Sequence, residues 1–269
     1  MTHINRRAFA SGLGALCLAG MVQPGISLPA AAQTVPAVPA PPMPRLVRTH
    51  EVVSLTSVQT ERPRVALTFD DGPHPVHTPV LLDILARYNA KATFYVIGRN
   101  AQRYPEIMRR IVAEGHEIGN HTLSHPVLAQ LGDGNILREI DRTQQIVWDI
   151  VGAVPVTMRP PYGAFSARQM RMLFDQRNLP TVVWSVDPQD WRRPGASVVA
   201  DRMIRGARPG AVILAHDIHG ATISAVPQAL EGILARGLQP VTMSDLLAWP
   251  HWGPRGLRYV GAVPSPFQG

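Results

Sequence analysis

From about residue 64 the chain alternates two hydrophobic patterns. Short runs rich in β-branched and aromatic residues give way to longer stretches in which apolar residues recur every three or four positions. The first pattern predicts strands and the second amphipathic helices. Residues 64–70 form the first strand, and the segment through Leu82, Leu85 and Tyr88 is a helix, capped by Thr78 with Pro79 at its first position. Residues 92–97 are a second strand, followed by a helix that carries Ile107, Ile111 and Val112 and closes at Gly115. A short strand at 117–120, a helix at 133–151, a strand at 156–159 and a helix capped by Ser166 continue the series. A strand at 181–187, a helix from about Ser197, a strand at 211–216, a helix near 224–236, a strand at 239–242 and a helix from Ser244 complete it. Strand-then-helix units repeated in this way imply parallel strands covered by helices. The expected fold class is α/β: a distorted or incomplete (β/α) barrel with about seven parallel strands. An open doubly wound sheet is the alternative.

The two ends of the chain carry other signals. Arg6-Arg7 precedes a Gly/Ala-rich apolar stretch from about Ala8 to Val22, too short to span a bilayer, and Ala30-Ala31-Ala32 offers a cleavage site before Gln33. Residues 1–32 therefore read as a twin-arginine-type signal peptide. Residues 33–60 read as a Pro/Ala-rich linker and N-terminal arm, 61–248 as the main domain and 249–269 as a Pro/Gly-rich tail. The expectation is an exported protein, periplasmic or secreted, with no stable membrane span once the signal is removed. Its single cysteine, Cys17, lies in the signal, which leaves no thiol chemistry in the remainder. The net charge of +7 is diffuse and is not interleaved with aromatics on any one segment, which argues against a nucleic-acid partner. The sequence carries no signal for oligomeric state.

Candidate chemistry falls at the predicted strand ends. Asp70 and Asp71 end the first strand, His121 follows the third, Arg159 ends the fourth, Asp187 the fifth and His216 the sixth. In a (β/α) barrel the carboxyl ends of the strands open into one shared mouth. His121 and His125 are four residues apart and face the same way if their segment is helical. Joined by a carboxylate from Asp70-Asp71, they make a three-ligand metal site with an open position. The other aspartate then remains free as a base. Arg159 can hold a carboxylate by a bidentate contact, and His216 near Asp187 can donate a proton. The same ligand types also occur in non-haem iron oxygenases, but an added acid–base pair does not call for dioxygen chemistry.

Taken together, Thr68-Phe-Asp-Asp-Gly-Pro73, His121-Thr-Leu-Ser-His125, Arg159-Pro-Pro-Tyr162, Asp187-Pro-Gln-Asp-Trp191 and Leu214-Ala-His216 resemble, in order, the five motifs of the polysaccharide deacetylase family (NodB homology domain, carbohydrate esterase family 4). The resemblance covers about residues 64–247. It implies a divalent metal, most commonly Zn2+, held by Asp71, His121 and His125. It implies Asp70 as general base oriented by Arg159, and His216 as general acid supported by Asp187. The Tyr162 backbone N–H would help hold the oxyanion, while Trp191 and Leu214 would wall the pocket for an acetyl methyl. The implied activity is removal of N-acetyl groups from an N-acetylglucosamine-containing polysaccharide or oligosaccharide, chitooligosaccharide or peptidoglycan. O-acetyl ester hydrolysis and non-catalytic carbohydrate binding are the alternatives.

Overall fold

Strand β2 (Arg64–Asp70) is buried at every position after its first, so its sequence reads apolar almost throughout instead of alternating. In this computed structural model, which describes residues 51–253, β2 is the centre of a parallel sheet. The expected signal peptide, residues 33–50 of the linker and residues 254–269 of the tail lie outside the described residues. Along one edge β2 pairs with β6 (Val212–His216), Ala66 facing Val212 and Asp70 facing His216. Along the other it meets β3 (Thr93–Val96) at its carboxyl half and β7 (Gln239–Val241) at its amino half. Strand β4 (Glu117–Asn120) extends the sheet beyond β3.

Past β4 the ladder continues only as single parallel bridges: Asn120 to Met158, Met158 to Thr181, and Val186 to Ile213. The fourth expected strand is thus one bridge long, and the fifth shrinks to β5 (Thr181–Val182) and the bridge at Val186. Pro155, Pro160 and Pro180 flank these segments and withhold ladder donors. The result is an incomplete α/β barrel. An unanticipated strand, β1 (Ser54–Leu55), pairs in parallel with β5. The same arm is tied lower down by Val58 N–H to Gly210 O at 2.9 Å.

Helices α1 (His77–Arg87), α2 (Gly98–Arg103), α3 (Pro105–Ala113), α4 (Asp133–Val151), α5 (Ala167–Arg177), α6 (Ala196–Gly206), α7 (Gly220–Ala235) and α8 (Met243–Leu246) fill the connections. Ser166 caps α5 in a reciprocal capping box with Gln169. Thr78 does not cap α1. It lies within the helix with its hydroxyl turned into the protein, and the N-cap position is Val76. No helix among the described residues is long and apolar enough to cross a membrane.

Because the strands run the same way, Asp70, Asn120 and His216 share one rim as the last residues of β2, β4 and β6. Gly119 is required just below that rim, since a Cβ there would lie 2.3 Å from the ring of Tyr95. Gly119→Ala is expected to destabilise the fold by about 1–3 kcal/mol, the usual range for overpacking a dense core. Urea unfolding should register this as a lower midpoint with an unchanged slope.

Candidate active site

Asp70 and Asp71 are adjacent carboxylates, and the backbone separates them. Asp71 has φ 75°, in the left-handed region that a residue with a Cβ seldom occupies. Two hydrogen bonds hold it there: Asn100 Nδ2 donates to Asp71 O at 2.8 Å, and Ile97 N–H to Gly72 O at 3.0 Å. The turn sends Asp70 towards Arg159 and Asp71 towards the histidines.

Arg159 is fully buried. Its Nη1 donates to Asp70 Oδ1 at 2.8 Å and Thr68 Oγ1 at 2.7 Å. Its Nε and Nη2 donate to the carbonyls of Val182 and Val183 at 3.2 and 3.1 Å. The contact with Asp70 therefore uses one oxygen and is not the expected bidentate fork, because the remaining donors are engaged by β5 and the residue after it. The guanidinium also lies over the Tyr95 ring at 4.2 Å and the Trp184 ring at 5.8 Å.

His121 and His125 converge without a helix. Thr122 and His125 both take left-handed φ values, 68° and 62°. Asn120 Oδ1 accepts from Thr122 N–H, and Thr122 Oγ1 accepts from His125 N–H. Glu139 on α4 accepts from the N–H groups of Leu123 and Ser124 and from the Ser124 hydroxyl. These tight turns bring both rings to Asp71 Oδ1, with Nε2 distances of 3.4 Å for His121 and 3.1 Å for His125.

His121 Nδ1 lies 2.7 Å from Arg159 O. A carbonyl only accepts, so Nδ1 carries a proton, and in the neutral ring Nε2 is a bare lone pair facing Asp71. Asp71 Oδ1 is itself buried with no hydrogen-bond donor among the described residues. Acceptors that face one another call for a cation between them. Two imidazoles and a carboxylate, with ligand atoms all within 4.8 Å of each other, fit a divalent metal. Burial works to raise the pKa of Asp71, but the hydrogen bonds and positive charge that the His121 and His125 rings offer when protonated outweigh it and hold the carboxyl well below the usual carboxylate range.

The third group is His216. Its Nδ1 is 2.8 Å from Asp190 Oδ1, and its backbone N–H donates to Asp190 Oδ2 at 2.8 Å. The Thr222 hydroxyl on α7 donates to that same oxygen at 2.7 Å. The supporting carboxylate is thus Asp190 and not Asp187. The Asp187 Oδ1 instead accepts from Gln189 N–H at 2.8 Å, closing a turn that carries Asp190 inward. Burial alone would lower the pKa of His216, but Asp190 outweighs it and raises the value to about 9.

A cavity of about 390 Å³ unites these groups. Asp70, Asp71, His121, His125 and His216 line it, together with Tyr162, Asp187, Trp191 and Leu214 from the expected set and Pro160. Trp184 and His219 also line it and were not anticipated. Tyr162 has φ 61°, is 67% exposed and meets the His125 ring edge-on at 4.7 Å. Trp191 is 47% exposed, with the Arg192 guanidinium above its ring at 4.7 Å. Glu139 and Thr222 left no motif-level trace. For Asp190, the only signal was its place beside Trp191 in a loop with two acids.

A sequence-family model described as Polysaccharide deacetylase matches residues 57–176. The peptidoglycan-N-acetylmuramic acid deacetylase of Bacillus subtilis (strain 168) is 40% identical over 200 residues, 73% of this chain and 42% of that protein. The chain thus spans about two fifths of that relative's length. A chitooligosaccharide deacetylase of Sinorhizobium fredii (strain NBRC 101917 / NGR234) is 42% identical over 159 residues, covering 59% of this chain and 74% of the relative. The crystal structure of the Bc1960 peptidoglycan N-acetylglucosamine deacetylase is similar with a TM-score of 0.71 and 34% identity, covering 75% of this chain and 95% of that one.

A cation held only by the folded site stabilises the fold, by about 2.7 kcal/mol at a hundred times its dissociation constant. Chelator-treated protein is expected to melt at a lower temperature and to recover on addition of zinc, whereas His121→Ala should lose the response. Calorimetry checks both, and identical melts of the wild type with and without zinc would rule the site out.

Proposed function

Because the chain belongs to the polysaccharide deacetylase family, we propose that it is an exported, metal-dependent hydrolase that removes N-acetyl groups from N-acetylglucosamine-containing polysaccharide or oligosaccharide and releases acetate. One observation carries the reading: a single cavity holds a carboxylate fixed by a buried arginine, an Asp-His-His cluster, and an imidazole paired with a buried carboxylate. Amide hydrolysis needs a base, a Lewis acid and an acid, and these are three such groups. The names of the relatives above support peptidoglycan and chitooligosaccharide as substrate classes, and the signal-like residues 1–32 support a periplasmic or secreted location.

Asp71, His121 and His125 would hold the metal, and a donor set of two nitrogens and one oxygen suits zinc. When bound, such a cation acidifies water and polarises a carbonyl oxygen. In this reading Asp70 accepts a proton from the attacking water, and Arg159 keeps its carboxylate aimed. The Tyr162 backbone N–H donates to the oxyanion that develops on the acetyl carbonyl oxygen. Trp191 and Leu214 bound the space for the acetyl methyl. His216, protonated and held by Asp190, donates from Nε2 to the leaving nitrogen, so the amine departs neutral. Asp187 stays on the cavity wall, its Oδ1 engaged by Gln189 N–H.

Acetate release from chitooligosaccharides, peptidoglycan and acetylxylan by zinc-loaded protein tests the activity. Release from none of them would defeat the proposal, and faster release from acetylxylan than from the amides would replace it with an O-acetyl esterase. Asp70→Asn and His216→Ala are each expected to lose roughly 10²–10⁴-fold in kcat, with zinc still bound when metal content is measured.

The acid is active when protonated, so kcat should fall as pH rises through about 9, the raised value of His216. Asp190→Asn removes the charge that raises it and should move this alkaline limb to lower pH. A pH–rate profile in which the limb does not move would reject Asp190 as the partner.

A further inference from the structure

Asp217 directly follows His216 and is fully buried. Its Oδ2 accepts from the Thr78 hydroxyl at 2.5 Å, while Oδ1 has no hydrogen-bond partner among the described residues. No step of the proposed hydrolysis uses it. Its surroundings account for it. Gly72 rests on the carboxyl so closely that a Cβ there would lie 2.3 and 2.4 Å from its two oxygens. Gly72 is the residue after Asp71, whose φ of 75° persists only where neighbours hold it. Thr78 Oγ1 also accepts from His74 N–H at 2.7 Å. Asp217 therefore touches the turn after β2 directly at Gly72 and, through Thr78, again at His74.

We propose that Asp217 is a positioning residue: a buried latch against which the turn from Asp71 to His74 is set, fixing Asp71 relative to the His216 strand end. This rests on reading Asp71 as a metal ligand. The latch acts through shape and hydrogen bonding. It joins the acid side of the cavity to the metal side by a route that does not pass through Arg159.

The test compares Asp217→Asn, which keeps the shape and an oxygen towards Thr78, with Asp217→Ala, which removes both, and with Thr78→Val, which removes only the hydroxyl. Zinc affinity is measured by chelator competition at a temperature where each variant is folded by circular dichroism, and kcat and KM are measured alongside. Residues that orient metal ligands are worth about 10–100-fold in affinity. Asp217→Ala is expected to bind zinc at least about tenfold more weakly, with kcat reduced and KM little changed. Asp217→Asn should stay close to wild type, and Thr78→Val should fall between them.

Wild-type affinity in folded Asp217→Ala overturns the proposal, and so does Asp217→Asn as weak as Asp217→Ala. If Asp217→Ala does not fold, Thr78→Val decides: weakened binding supports the latch and unchanged binding overturns it. A wild type that binds no zinc overturns the latch together with the metal reading. One that binds zinc but releases no acetate overturns only the activity, and the affinity ranking still tests the latch.

Discussion

Arg159 carries its charge with none of its surface exposed. A cation without water must find its partners inside the protein, or its burial costs several kcal/mol. The partners it finds come from the elements that build the site: Thr68 and Asp70 on β2, Tyr95 on β3, and the Val182 and Val183 carbonyls at β5. Its own carbonyl then fixes the proton of His121 at Nδ1. One residue thus sets the direction of Asp70 and the tautomer of a candidate ligand. Breaking a buried pair by deleting one partner typically costs about 3–5 kcal/mol, a large share of a domain's total stability. The geometry of the cavity is in this sense inseparable from the stability of the barrel.

Around that cation the cavity sorts its ionisable groups. Asp71 faces two imidazoles and is held as the anion. His216 faces Asp190 and is held as the cation. Asp190 tolerates burial because the Thr222 hydroxyl, at the start of α7, shares the task of satisfying it, and a helix N-terminus favours negative charge. Within one cavity the metal-facing group is thereby held as an anion and the acid as a cation, so each carries the charge its role needs at a single pH.

The strand ends were readable because burial on both faces forces an apolar run that stops where the chain reaches the mouth. Asp70 after Val65–Phe69 and His216 after Val212–Ala215 show this plainly. The segments at 156–159 and 181–187 were harder, since β-branched composition does not reveal that neighbouring prolines will starve the ladder. The histidine pair was legible as a pair, yet its spacing suggested a helix where Asn120 and Glu139 instead stabilise left-handed turns. Asp187 and Asp190 are hard to tell apart in the sequence for a related reason. Proximity to the strand end favoured the first acid, but that acid is consumed by its own turn. Side chains that capture local backbone N–H groups are interchangeable in a sequence and distinct in a fold.

Those anchors follow a rule that the βα order itself supplies. Each reactive group stands at the end of a strand or on the loop after it, and beyond Arg159, Asn120 and Asp190 the side chains that brace these loops come from helices nearby. Asn100 on α2 holds Asp71, Glu139 on α4 holds the turn between His121 and His125, and Thr222 on α7 holds Asp190. Strands deliver functional groups to the rim in a fixed direction, but they leave the loop backbone unsatisfied. Polar residues on the inward faces of the helices make up that deficit. They are invisible to a hydrophobic pattern, which registers only the apolar positions around them. A sequence therefore announces its reactive groups as motifs and hides their supports as isolated polar residues in helices. It is these supports that decide whether the motifs form a working geometry.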